Sequence, residues 1–278
     1  MTASATATTT AIRQTITLPI DPGAVSLRSL SQQRSRFELE YALERGSTAN
    51  SVLFEAADDQ LAVLVHPPGA AYGDVFLPAL AALVPGGDQP LLVVVGHVNP
   101  NRVALLRMLA EAYSRLELIA SNAGAKLLQE LWSLRKPAPP GQENAQPPLP
   151  ALPAIRVIRH EQDLPLGFGR SLQLLPAPTP RWPGGLLAFE TSLGLLMSDK
   201  FFSAHLCTAV WAESNRSSTE EERRHFYDCL MAPMARQVDT LVDRLEALDI
   251  RTIAPGHGPA IDCLLYTSDA ADERSSVD

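Results

Sequence analysis

Val93-Val94-Val95-Gly96-His97-Val98-Asn99-Pro100-Asn101-Arg102 is the stretch on which the reading of this chain turns. Its β-branched run reads as a buried strand. Gly96 breaks the run and leaves His97 at the strand's carboxyl end, where layered α/β folds usually carry their ligands. The turn has the shape of a metal-binding loop, yet neutral Asn99 and Asn101 and cationic Arg102 surround the histidine. A single histidine after an apolar strand is more often structural than catalytic, so the later landmarks decide.

Those landmarks come in a telling order. Leu195-Leu196-Met197-Ser198-Asp199 is an apolar strand ending in a carboxylate, and Gly256-His257-Gly258-Pro259 follows the short strand Thr252-Ile253-Ala254. Between them stands Phe226-Tyr227-Asp228-Cys229-Leu230-Met231-Ala232-Pro233, and Arg181-Trp182-Pro183 comes just before the first of them. Arg36-Phe37-Glu38-Leu39-Glu40 and Asn50-Ser51-Val52-Leu53 precede them. Together these segments resemble the metallo-β-lactamase-like domain of cyanobacterial flavodiiron (diflavin) flavoproteins over about residues 25–262. The resemblance is to the subgroup whose iron ligands are replaced by neutral and basic residues, and it implies an α+β, αβ/βα four-layer sandwich.

That resemblance also implies a site. The family's turn reads His-x-Glu-x-Asp-His; here His97 is retained while Asn99, Asn101 and Arg102 occupy the other three positions. Arg181 stands where the family usually has His before Trp-Pro, and Asp199 and His257 keep ligand positions. His66, His160, His205 and His225 fall outside the ligand slots and read as ordinary surface or core histidines. A full set brings about three negative charges to balance two irons. One aspartate with two arginines leaves roughly +1, and each like-charge contact near 4 Å costs about 4 kcal/mol at an effective dielectric of about 20. Arginine cannot escape by deprotonation. The expectation is that Asp199 pairs with Arg102 or Arg181, and that a standard di-iron pair does not form. A single metal on His97, Asp199 and His257 stays open as an alternative.

Composition bounds the rest. With 46% hydrophobic and 19% charged residues, the 278-residue chain is an ordinary globular composition, and the landmark order favours one large domain. A net charge of −8 disfavours nucleic acid as a partner. No apolar run reaches membrane-spanning length. Cys207, Cys229 and Cys263 form no CxxC motif and no even framework, which suits a reducing cytoplasm. No Gly-x-Ser-x-Gly or phosphate-loop motif supports another chemistry.

Along the chain, residues 1–24 are expected to be a disordered N-terminal segment, its first ten residues being Ala/Thr/Ser-rich. Residues 25–262 make the domain, interrupted by an exposed insertion over 136–153 with seven prolines. Strands are expected over Phe37–Leu43, Ser51–Glu55, Gln60–His66, Leu91–Val95, Leu116–Ala120 and Ile155–Ile158, then Arg170–Leu175, Gly185–Phe189 and Leu193–Met197. Helices are expected over Asp74–Val84, Arg102–Arg115 and Asn122–Trp132, with a long helical region over Thr219–Leu248 broken near Pro233. Residues 263–278 resemble a translated sequencing adapter and are read as a non-native tail.

By resemblance, a flavodoxin-like domain carrying FMN and a flavin-reductase-like domain follow in the natural protein. The function so implied is that of an oxidoreductase subunit reducing oxygen to water with NAD(P)H electrons, a photoprotective sink. Its partner is a homologous subunit in a head-to-tail homo- or heterodimer, the iron-bearing member being a paralogue. The alternatives are a non-catalytic dimerisation or interaction subunit and, further off, a metal-dependent hydrolase.

Overall fold

A computed structural model describes residues 13–32, 44–55, 62–134, 148–167, 169–213 and 219–263. Two sheets stack face to face. The first has seven strands in chain order: β1 (Arg13–Asp21), β2 (Ala24–Ser31), β3 (Ser47–Phe54), β4 (Ala62–Val65), β5 (Leu91–Val94), β6 (Leu116–Ser121) and β7 (Ala154–Ile158). The second runs β13 (Ile261–Asp262), β12 (Thr252–Pro255), β11 (Leu195–Asp199), β10 (Leu186–Glu190), β9 (Arg170–Pro176), β8 (Gln162–Gly167). Strands β4 to β7 are parallel, as is the β11–β12 pair.

The strand period of two explains the layering. Along β5 and just past it, Leu91, Val93 and Val95 face a core shared with helices α1 (Gly73–Leu83), α2 (Pro100–Ala112) and α3 (Asn122–Trp132). Leu92 and Val94 face the other way, into the core between the sheets, against Leu172, Leu186 and Met197. A strand buried on both faces needs a continuous apolar run, which is why the alternation is invisible there. A third core, with Leu187, Phe189 and Leu196, is covered by α4 (Glu220–Phe226) and α5 (Ala235–Leu245). The order helix, sheet, sheet, helix is the expected four-layer sandwich.

Several boundaries shift. Residues 13–24 are not disordered: Arg13–Asp21 pairs antiparallel with β2 across the Pro22-Gly23 turn, where Gly23 takes φ +77°. The alternation Thr15-Ile16-Thr17-Leu18 is the strand signal, hidden beside the Ala/Thr-rich start. Helix α2 begins at Pro100 rather than Arg102, because the Asn99 side chain accepts a hydrogen bond from the Arg102 amide at 2.8 Å and a proline suits the first helical position. Ser121 caps α3 through the Gly124 amide, as its sequence suggests. The long helical region breaks at Tyr227–Met231, a π-helical turn, and then at a 3₁₀ turn over Ala232–Met234. Pro233 lacks the amide that the Cys229 carbonyl needs, so the break starts a turn before it. The described end of the insertion lies against α3, with Trp132 donating to the Pro150 carbonyl at 2.9 Å. The expected strand over Phe37–Leu43, most of the insertion and all of the tail after Cys263 lie outside the described residues.

Candidate functional site

The carboxyl ends of β4, β5, β11 and β12 converge on a cavity of about 520 Å³. Backbone hydrogen bonds stitch the two sheets there: Leu186 N to Gly96 O at 2.8 Å and Asn50 N to Gly256 O at 3.0 Å. His66 and Asp199 both sit in the left-handed region, at φ 56° and 50°. Non-glycine residues there cost of order 1–3 kcal/mol and persist only where the surroundings hold them. Gly96 makes that arrangement possible, since a Cβ on it would lie 2.8 Å from both Asp199 Cγ and His66 Cδ2.

On one wall, His97 Nδ1 donates to Asp199 Oδ2 at 2.6 Å, and the Arg102 guanidinium stands 3.8 Å from Asp199 Oδ1. Arg102 also donates to the Pro67 carbonyl. Burial pushes the Asp199 carboxyl up, but His97, Arg102 and His66 together outweigh it and hold the group well below the usual carboxylate range. Burial pushes His97 and His66 down to about 4, with Arg102 adding to both shifts, so both imidazoles are neutral near pH 7. The Asn99 amide donates to His97 Nε2 at 3.3 Å.

On the other wall, His257 Nδ1 lies 3.0 Å from the Thr48 carbonyl and its Nε2 lies 3.2 Å from Lys200 Nζ. Burial, then His205 and Lys200, push His257 well below its ordinary value. Arg181 and Lys200 both stand over the Trp182 ring, 5.4 and 5.8 Å from its centroid. Behind this wall the buried Arg28 donates to Asn50 Oδ1 at 3.0 Å, and Asn50 Nδ2 donates to the Pro255 and Gly258 carbonyls at 2.8 and 2.7 Å. That clamp sets the position of the His257 loop.

All seven positions singled out in the sequence line this cavity: His97, Asn99, Asn101, Arg102, Arg181, Asp199 and His257. Of the two candidate arginines, Arg102 is the one within ion-pair distance of Asp199. Asn101 leans onto Gly69 and accepts from the Ala71 amide at 3.2 Å. Sequence reasoning missed three wall residues. His66 lines the cavity rather than standing apart, because β4 and β5 are parallel neighbours that end level with each other. Lys200, a lysine inside the run Leu195–Phe202, was legible as an anomaly; Asn50 opens one of the segments that carry the resemblance, but nothing in it pointed to this wall. His205 is a core histidine whose ring packs tilted against His257 at 4.3 Å, while His160 and His225 are exposed.

Among the described residues, the charged side chains lining the cavity are Arg102, Arg181, Lys200 and Asp199, while burial holds His66, His97 and His257 neutral. Among the described residues no three His, Cys, Asp or Glu side chains converge as metal ligands. His97 and His257 each have Nε2 turned to an N–H donor of the chain, Asn99 and Lys200 respectively. In this arrangement the residues do not fit two iron ions. They fit a cavity braced by its own hydrogen bonds and ion pair.

Comparison with known proteins places these features in context. No family model matches the chain. It is 39% identical over 244 residues to putative diflavin flavoprotein A 6 from Nostoc sp. PCC 7120, covering 88% of this chain and 39% of that protein. The metal-soaked Flv1 flavodiiron core from Synechocystis sp. PCC6803 superposes with a TM-score of 0.79 at 32% identity, over 94% of this chain and 60% of that one. The 1–254 fragment of putative diflavin flavoprotein A 5 from Nostoc sp. PCC 7120 gives 0.78 at 31% identity, over 94% of each chain. The chain thus spans about two fifths of the length of the curated relatives it matches. No helix among the described residues is long and apolar enough to cross a membrane.

Proposed function

This chain belongs to the diflavin flavoprotein (flavodiiron) family, and on that footing we propose that it is the metallo-β-lactamase-like part of an oxidoreductase subunit with a degenerate di-iron site. The whole protein takes part in NAD(P)H-dependent reduction of oxygen to water in the cytoplasm. Electrons reach the acceptor through FMN held in domains beyond this region or on a partner chain. The subunit pairs head to tail with a homologous, iron-bearing chain. The observation that carries this reading is the wall chemistry: Asp199 is engaged by His97 and Arg102, and the side chains of Arg102 and Arg181 line the cavity where iron ligands are expected.

A metal hydrolase needs an ion that makes bound water acidic. Arg102 at Asp199 opposes such an ion, and neither His97 nor His257 presents a lone pair free of a donor. What this chain's own residues do is hold the cavity's shape with fixed charges in place of a metal.

Anaerobic reconstitution with ferrous iron tests the reading. We expect far fewer than two tightly held irons per chain, and two would overturn it. Oxygen uptake by the full-length protein, alone and mixed with an iron-bearing relative, then separates the roles. Uptake by the mixture above the relative alone supports an electron-carrying subunit; assembly without added uptake identifies a non-catalytic interaction subunit.

A further inference from the structure

Lys200 is the cavity residue that the substitution pattern does not account for. It follows Asp199 at the end of β11 and is 3% exposed, with its ammonium 3.2 Å from His257 Nε2. The other imidazole nitrogen, Nδ1, faces the Thr48 carbonyl at 3.0 Å. A carbonyl only accepts, so Nδ1 carries the proton and Nε2 turns its lone pair to Lys200. The ring is held in that pose. The His205 ring packs against it at a tilt of 37° and a centroid distance of 4.3 Å, the backbone of His257 bridges to Ala49, and the Asn50 amide grips the carbonyls on either side of the loop.

The atom of His257 that a metal would take therefore already has a cation seated on it. We propose that Lys200 is the built-in cation that closes His257 to metal, independently of the four substituted positions Asn99, Asn101, Arg102 and Arg181. Histidine binds a divalent metal at about 2.0–2.1 Å. An ion there would have to displace the ammonium from the same lone pair and then share a buried cavity with it. On the opposite wall the Asn99 amide does the same to His97 Nε2 at 3.3 Å, but as a neutral dipole it opposes an ion far less. Restoring the four mapped positions while leaving Lys200 should thus recover only half of a two-metal site.

This inference rests on the degenerate-site reading, and cobalt binding to the whole chain separates the two. Stoichiometry by equilibrium dialysis and visible absorption would be followed for three forms: the unaltered chain, the N99E/N101D/R102H/R181H variant, and that variant with Lys200→Asp added. Near-ultraviolet circular dichroism checks that each is folded. The expected result is little cobalt on the first, one ion on the second, and a second ion on the third bound at least about 100-fold tighter than the four-site variant binds it. Two tight ions on the unaltered chain would sink the degenerate-site reading itself. A four-site variant that loads two ions with Lys200 in place, or a folded five-site variant that loads no more than the four-site one, overturns the role of Lys200 alone. A single substitution gives an independent readout should the multiple variants not fold. Lys200→Met should shift the ¹⁵N resonance of His257 Nε2 and leave that of His97 in place; an unmoved His257 resonance also overturns the proposal.

Discussion

The two walls of the cavity solve the same problem by different means. On the His97 wall a buried carboxylate meets a guanidinium and an imidazole N–H, so charge answers charge. On the His257 wall a buried ammonium rests on the lone pair of a neutral imidazole and over the face of Trp182. The first is an ion pair, whose loss leaves an uncompensated buried charge. The second is a charge–dipole contact backed by a cation–π contact, and it can be dismantled with less penalty. The difference shows that the two walls of one cavity are held by contacts of different kind and unequal strength.

The largest effect should come from breaking the ion pair. Arg102→Met removes the guanidinium and leaves Asp199 buried beside His97, which should cost on the order of 3 kcal/mol in urea unfolding. Asp199→Asn should cost less, because the amide still accepts from His97 and the guanidinium keeps the Pro67 carbonyl. If Arg102→Met is as stable as the unaltered chain, the ion pair does not brace this wall.

Acidification should act next. His66 and His97 are held down to about 4, below the ordinary value of 6.5, so the unfolded chain takes up their protons first. Their contribution is complete above about pH 6.5 and is lost as pH falls toward 4, after which Asp199 weakens the fold further at still lower pH. Between pH 7 and 5.5 the two histidines should cost roughly 2 kcal/mol together. Equal unfolding free energies at both pH values would show that these imidazoles are not buried in neutral form.

The smallest effect should be Lys200→Met, at about 1 kcal/mol, since the contacts with His257 and the Trp182 ring are lost while an apolar side chain of similar length fills the space. A loss as large as that of Arg102→Met would erase the contrast between the walls.

Much of this was legible in the chain. The strands Leu91–Val94 and Leu195–Asp199 announced themselves as apolar runs, and the Gly96-His97 and Gly256-His257 breaks marked which strand ends carry polar chemistry. The first hairpin was lost because β1 begins beside a low-complexity stretch and β2 buries polar residues such as Arg28 and Ser29. Their partners come from residues about 180 to 230 positions away, or from the neighbouring strand, and local pattern cannot report such pairings.

What the sequence by itself determined is the order of the strands and helices around the two Gly-His breaks, and the excess of positive over negative charge among the seven positions it singled out. Only the tertiary structure decided that Arg102 rather than Arg181 reaches Asp199, that His66 closes the cavity from the adjacent strand, and that Lys200 seats its ammonium on His257. The physical reason is one of range. Periodicity and breakers act over a few residues, whereas a buried charge chooses its partner from whatever the folded backbone brings within about 4 Å.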